Sequence, residues 1–224
     1  MIFGKKDKRK RALLSVTIFA IIILLSTTVL NAQVIKAPEL LAARNLLRHL
    51  GYWVAADDGT FDITAKYALG AFQSVNRRKA TGILTETDLK SLQSAKRLRF
   101  KPSDVFRVEI DTSKRILYFV EPDGEISHIL PVAIGSDRSF TVNGKTRKAH
   151  TPRGTFFIKR QITGWRKSDF GELYYPNYFQ GGLAIHGSKK MTLSSYTFGC
   201  IAVPMYAAES LSRVLTPKTK IIIR

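Results

Sequence analysis

The sequence predicts a multidomain α+β chain made of an N-terminal membrane helix, a small three-helix module and a mainly β domain. A basic cluster precedes a stretch of 19 uncharged residues at 12–30. Apolar residues then recur at helical spacing, and from Val105 the pattern changes to short apolar runs separated by turn residues. The predicted parts therefore span residues 1–32, 37–97 and 103–224.

The first part has the features of a membrane anchor. Its first eleven residues hold six Lys and Arg against one Asp, and the uncharged stretch behind them is long enough to cross a bilayer as a helix. The basic flank predicts a cytoplasmic N-terminus and exported domains. Leu30-Asn31-Ala32 is a poor cleavage site because Leu is large. We expect a signal anchor in the cytoplasmic (inner) membrane, with the domains on the periplasmic or extracytoplasmic side of the cell envelope; a cleaved signal peptide, giving a secreted protein, is the alternative.

The charge balance favours anionic partners. The chain holds 36 Lys and Arg against 17 Asp and Glu, which suits nucleic acid, anionic lipid or an acidic wall polymer. Predicted export argues against nucleic acid. One Cys excludes an intramolecular disulfide, and one Cys with four scattered His does not form a zinc site, so neither a metal nor another cofactor is expected.

Three helices are expected in the second part. The first covers Ala37–Leu50 and ends at Gly51, a residue suited to the position after a helix. Asp62 or Thr64 is the expected cap of the second, which runs to about Asn76. Thr85, with Asp88 three residues later, predicts a capping box that opens a third helix to about Lys96.

This helical part resembles a peptidoglycan-binding domain of the three-helix type over about residues 37–97. The motifs that carry the resemblance are Leu47–Leu50-Gly51-Tyr52, Asp58-Gly59-x-Phe61, Thr64–Ala68, Phe72-Gln73 and Thr81-Gly82-x-Leu84, with Leu89 and Leu92. The resemblance implies peptidoglycan as a partner. Most of these residues form turns or a helix core, so a plain spacer that holds the next domain away from the membrane remains an alternative.

The third part is predicted to be a sandwich or barrel of short strands. The expected strands are 105–110, 115–120, 126–134, 154–161, 183–185, 201–203 and 219–223. One helix is expected, at Met205–Val214.

Two residues of the third part form a candidate catalytic pair. His186 ends an apolar strand and precedes Gly187-Ser188, while Cys200 follows Gly199 at a loop-to-strand junction. Each residue taken alone is more often structural than catalytic. They are 14 positions apart, a spacing that neighbouring strands and a connecting loop can close. A thiol beside an imidazole forms a nucleophile and its base.

The surrounding residues resemble the catalytic domain of the L,D-transpeptidases (YkuD-like) over about residues 105–224. The motifs are Gly181–Ser188, Thr197-x-Gly199-Cys200-Ile201-x-Val203-Pro204-Met205 and Thr151-Pro152-Arg153-Gly154-Thr155-Phe156. The resemblance implies that Cys200 attacks the carbonyl of the third residue of a donor stem peptide, forming a thioester. It further implies that His186 is the base, that the Gly187 carbonyl holds the imidazole tautomer, and that backbone N–H groups of Gly199 and Cys200 bind the oxyanion.

The remaining motif residues have supporting or substrate-side positions. Thr197 matches the family Ser/Thr, and Ser188 follows the His-Gly pair. Phe198 and Ala202 stand where the family usually has His and Arg, which puts full activity in question. The implied function is peptidoglycan cross-linking or remodelling, in wall biogenesis and cell shape. A thiol L,D-carboxypeptidase or other hydrolase, and an attenuated or non-catalytic peptidoglycan-binding envelope protein, remain alternatives.

Overall fold

The computed structural model describes residues 35–55, 60–142 and 144–224. The predicted anchor at 12–30 lies outside these residues, as do Asp58 and Gly59 of the predicted helical module. Within the described segments, none of the helices combines the length and hydropathy needed to span a bilayer.

The three helices of the second part are confirmed. They are α1, Ala37–His49; α2, Ile63–Val75; and α3, Glu86–Ser94. The Asp62 side chain accepts a hydrogen bond from the Ala65 N–H at 2.9 Å and caps α2. Thr85 and Asp88 form the predicted capping box at the start of α3. That helix ends two residues earlier than expected.

A buried side-chain amide joins α2 to the turn before α3. The Gln73 carbonyl oxygen accepts from the N–H groups of Thr81 at 2.8 Å and Gly82 at 3.0 Å. Its amide nitrogen donates to Asp88 at 3.2 Å. These contacts explain why Gln73 and the Thr81-Gly82 pair belong to one sequence pattern, since a buried amide needs partners on both its atoms.

Two sheets make up most of the third part. The strands of the first are β1, Arg107–Asp111; β2, Ile116–Val120; β3, Ile126–Pro131; β6, Gly154–Phe157; and β12, Lys220–Ile223. Their order is β3-β2-β1-β12-β6, with β1 pairing β12 in parallel and the other pairs antiparallel. The second has the order β11-β10-β9-β7, and β8 pairs with β9. Its strands are β7, Arg160–Gln161; β8, Trp165–Ser168; β9, Gly171–Gln180; β10, Leu183–Ser188; and β11, Ile201–Pro204.

Several expectations for this part need correction. The helix at Met205–Val214, α4, has the predicted bounds, but β10 runs past His186 to Ser188 and the expected strand 154–161 divides into β6 and β7. Strands β8 and β9 and a hairpin of β4, Ser139–Val142, with β5, Lys145–Lys148, had no predicted counterpart. Strands β5 and β8 are exposed at every position, so they carry no apolar alternation to detect.

Strand β2 lies between two cores. Leu117 and Phe119 point into the core between the two sheets. Ile116, Tyr118 and Val120 pack instead against the helices of the second part. All five side chains are buried, and residues 35–224 form one compact unit. The boundaries expected at residues 97 and 103 stay predictions, and a shared core joins the parts on either side of them.

Adjacent substitutions on β2 test this arrangement. We expect Ile116→Ala and Leu117→Ala each to lower the free energy of unfolding by about 2–5 kcal/mol, because each leaves a cavity in a different core. Denaturant titration of both variants should show one cooperative transition that shifts as a whole. Two separate transitions, with each variant shifting only one of them, would contradict a shared unit.

Candidate active site

Cys200 and His186 come together through parallel pairing of β10 with β11. His186 lies opposite Ala202 in the register, and Cys200 immediately precedes Ile201, the first residue of β11. Side chains alternate between the faces of a strand, so Cys200 and Ala202 share the face that His186 occupies. Both candidate catalytic residues line the same cleft of about 1000 Å³.

The imidazole of His186 is held in one orientation. Its Nδ1 lies 2.9 Å from the Gly187 carbonyl oxygen. A carbonyl only accepts, so Nδ1 carries the proton and the lone pair is left on Nε2. His186 is 6% exposed, and this burial lowers its pKa, with the Gly187 hydrogen bond opposing the shift. At neutral pH the ring is therefore an uncharged base.

Packing explains why residue 187, whose backbone carbonyl holds His186, is a glycine. A Cβ at this position would lie 2.6 Å from the Cβ of Ala208 in α4 and 3.3 Å from Tyr174 in β9. Helix α4 thus rests directly on β10. Any side chain here would push the helix away from the strand that carries His186.

The thiol of Cys200 is half-buried. Its Sγ contacts the Gly182 carbonyl oxygen at 3.9 Å. Burial raises the pKa of the thiol, while a backbone hydrogen bond with Ala184 opposes the rise. In the free protein the cleft accordingly holds a neutral thiol and a neutral imidazole, because burial disfavours the charged form of both groups.

The turn before Cys200 is fixed by two threonines. Gly199 has φ +128°, and a Cβ there would lie 2.8 Å from the His150 carbonyl oxygen. The Thr151 hydroxyl donates to the Gly199 carbonyl at 2.9 Å and accepts from the Gly135 N–H at 2.8 Å. Thr151 of the Thr-Pro-x-Gly motif therefore ties a distant segment to the turn.

Thr197 supports the same turn from inside. Its hydroxyl donates to the Cys200 carbonyl at 2.5 Å and accepts from the Gly199 N–H at 3.1 Å. The Gly199 N–H, which is expected to face an oxyanion, thus has a partner in the free protein. Of the two expected donors, the Cys200 N–H remains the candidate. Thr197 thus supports the turn, and it also lines the cleft.

The two unusual motif positions have different surroundings. Phe198 is 50% exposed and its ring centroid lies 4.8 Å from that of Phe140 and 5.3 Å from that of Phe170. These rings join the β4–β5 hairpin, the β8–β9 turn and the catalytic turn at the edge of the cleft. Ala202 is 3% exposed and packs with Ala133 and Met191, and it also lines the cleft.

The cleft is rich in positive charge. The acidic lining residues in the described chain are Asp169 and Glu172, whereas seven lining residues are cationic: Arg147, Lys148, Arg160, Arg166, Lys167, Lys189 and Lys190. Ser188 also lines the cleft, and its hydroxyl accepts from the Lys190 N–H at 3.2 Å. The sequence did not indicate the cations of β5, β7 and β8 as cleft residues, because these strands are polar, and it favoured plain solvated side chains for Lys189 and Lys190.

The fold and the site define a mainly β protein with a cysteine–histidine cleft, built against a helical domain. The family described as the L,D-transpeptidase catalytic domain matches residues 106–223, and the chain belongs to this family. A peptidoglycan binding domain matches residues 36–92 and precedes it.

Several solved structures are similar to this chain. An L,D-transpeptidase from Xylanimonas cellulosilytica is 31% identical, with a TM-score of 0.78, covering 84% of this chain and 93% of its own. An L,D-transpeptidase from Stackebrandtia nassauensis is 19% identical, with a TM-score of 0.48, covering 83% and 90%. One from Mycobacterium smegmatis is 18% identical, with a TM-score of 0.45, covering 53% and 58%. No curated protein matches the chain.

The Thr151 hydroxyl is expected to stabilise the site measurably. Thr151→Val keeps the shape but leaves the Gly135 N–H and the Gly199 carbonyl without their buried partner. We expect unfolding to become easier by about 1–3 kcal/mol in denaturant titration. Thr155→Val, at an exposed position of β6, is the matched control and should change stability by less than about 0.5 kcal/mol. Equal effects of the two substitutions would contradict the bridging role.

Proposed function

We propose that this chain is an active L,D-transpeptidase that works on peptidoglycan stem peptides through a Cys200 thioester, for cross-linking or remodelling of the wall. The observation that carries the proposal is the placement of Cys200 and His186 in one cleft, with the imidazole tautomer held by the Gly187 carbonyl at 2.9 Å. That tautomer presents the lone pair which general-base catalysis requires.

The first half-reaction follows from these groups. His186 Nε2 takes the thiol proton as Cys200 Sγ bonds to the carbonyl carbon of the donor's third residue, a diamino acid. The Cys200 N–H stabilises the oxyanion that forms. The intermediate then collapses, the bond to the terminal D-residue breaks, and His186 returns the proton to the departing amine.

The second half-reaction regenerates the thiol. An acceptor amine attacks the thioester carbonyl while His186 takes its proton, and the carbon–sulfur bond breaks as the sulfur regains a proton. Burial favours the neutral forms of both groups in the free protein, so each half-reaction begins from a thiol or amine and a neutral imidazole. The imidazolium exists only while an anionic partner is present.

Positive charge around the cleft supports turnover despite Ala202. The usual Arg would supply a cation for a substrate carboxylate. Here Lys189 and Lys190 border the cleft together with cations from β5, β7 and β8. The Lys189 Nζ lies 4.5 Å from the centroid of the Trp165 ring, a cation–π contact that leaves its charge available.

The cellular setting is part of the same proposal. The basic cluster and the uncharged segment 12–30 support an uncleaved signal anchor, with the domains on the extracytoplasmic or periplasmic face of the membrane. Peptidoglycan is then the partner of both the helical and the catalytic domain. Nucleic acid is not a partner in this setting.

Two features favour an attenuated or non-catalytic protein as the second candidate. Phe198 offers no hydrogen bond, and Ala202 is buried among Ala133 and Met191, so neither can act on a substrate as a polar group would. A protein that lost turnover would still bind wall polymer. A hydrolase on the same fold would pass the thioester to water in place of an amine.

Loss of the thiol tests the proposal. We expect residues 33–224 to remove the terminal D-residue from tetrapeptide-bearing wall fragments, and Cys200→Ala to lower that rate to background, because the chain has one cysteine. Mass spectrometry of the products separates cross-linked material, which indicates transfer, from shortened monomer, which indicates hydrolysis. The absence of any Cys200-dependent product on several wall types would leave the non-catalytic candidate.

The acid side of the pH profile reports His186. Burial lowers the pKa of this imidazole, so its neutral, basic form persists to lower pH than in a free histidine. We expect kcat/KM to fall with a midpoint below about 6.5. His150→Gln, which changes an exposed histidine at the rim, should leave this midpoint in place. A midpoint above about 6.5 would contradict the assignment of this limb to the buried His186 imidazole.

A further inference from the structure

The segment between the two catalytic strands lies against the helical domain. This active-site loop, residues 189–199, connects β10, which carries His186, to Cys200. It contains turns but no strand or helix in its own right. Side chains from outside the loop therefore determine where it lies.

One apolar side chain of the loop fits a socket in the helical domain. A Cβ on Gly70 of α2 would lie 2.4 Å from Leu193 Cδ1 and 2.6 Å from Cδ2. A Cβ on Gly82, in the turn before α3, would lie 3.2 Å from the same Cδ1. Leu193 thus occupies a notch that exists because both positions are glycine. Gly70 is otherwise unfavourable in the middle of a helix.

Hydrogen bonds reinforce this contact. The Tyr67 hydroxyl of α2 donates to the Met191 carbonyl at 2.5 Å. From the β domain, the Arg115 guanidinium donates to the carbonyls of Leu193 at 2.7 Å and Ser195 at 3.2 Å. It also lies 5.2 Å from the centroid of the Tyr196 ring. The loop is held from both sides by groups outside it.

The anchored end of the loop leads directly to the nucleophile. Four residues after Leu193, the Thr197 N–H donates to the Ile134 carbonyl at 2.8 Å. The Thr197 hydroxyl in turn bonds the Cys200 carbonyl. A displacement of Leu193 would reach Cys200 through these few residues, and small displacements at a reacting atom strongly reduce rates.

We infer that the helical domain positions the active-site loop, with Leu193 as a positioning residue and Gly70 as its socket. This role is separate from wall binding and makes the helical domain part of the catalytic apparatus. The inference concerns the site of the proposed function. Its main readout, the reaction of Cys200 with an alkylating reagent, does not require that function.

Filling and refitting the socket tests the inference in the full chain. Gly70→Ala favours the helix but forces Leu193 out of the notch. Combining it with Leu193→Val shortens the side chain at position 193 and should let that side chain enter the notch again. Leu193→Ala removes most of the side chain that fills the notch and leaves α2 unaltered. Ser91→Ala, a change at a half-buried position of α3, is the control for adding an alanine to the helical domain.

The measurement is alkylation of the single cysteine by iodoacetamide, followed by mass spectrometry across pH. Burial raises the pKa of the Cys200 thiol. Loosening the loop should therefore lower the pH midpoint of the alkylation rate toward the ordinary cysteine pKa of about 8.5. We expect this shift in Gly70→Ala and Leu193→Ala, and the wild-type midpoint in the double variant and in Ser91→Ala. A reduced folded fraction alone would not produce a rescue by Leu193→Val.

Turnover provides a second readout. In Gly70→Ala we expect kcat on stem peptides to fall by about tenfold or more, with KM little changed, because the defect lies in the placement of the nucleophile. A wild-type midpoint in both single variants, or a double variant that stays shifted, would overturn the inference. If the wild-type chain shows no turnover, the proposed function is rejected. The alkylation result alone then decides whether the helical domain positions the loop.

Discussion

Parallel pairing between β10 and β11 brings Cys200 beside His186, and the connection that this pairing requires explains much of the surrounding structure. Parallel neighbours cannot be joined by a tight turn, so a long loop must leave the end of β10 and return to the start of β11. That loop passes along the helical domain, where Leu193 and the carbonyl of Met191 find their partners. The geometry of the site thus depends on residues far from it in sequence.

Burial sets the chemistry of the pair more than direct charge interaction does. Both groups lose hydration at the bottom of the cleft, which favours the thiol and the neutral imidazole together. Carbonyls of Gly187 and Gly182 orient them without adding charge. The charge that a substrate meets lies at the rim instead, on Lys and Arg of three exposed strands and one loop. The cleft thus combines two buried neutral groups with a largely cationic lining.

Glycines control the spacing between layers around the site. Gly187 lets α4 rest on β10, Gly199 lets the catalytic turn pass the His150 carbonyl, and Gly70 receives Leu193. The first two stand beside His186 and Cys200 in the sequence motifs, which do not indicate what each glycine contacts. Gly70 lies in a helix, where glycine is unfavourable. The reason for glycine at this position is the contact with Leu193 of the β domain.

The amino-acid sequence by itself determined the capped helices, the apolar strands of the core, α4 and the roles proposed for Cys200 and His186, because caps, alternation and short motifs are local. The sequence pattern did not predict strands β5 and β8, since an exposed strand shows no apolar periodicity. The tertiary structure alone decided that the Gly199 N–H is used by Thr197 and that Ala202 faces a packed cluster. It also decided that the helical domain shares a core with β2. These outcomes depend on which distant surfaces meet, a property that no local pattern contains.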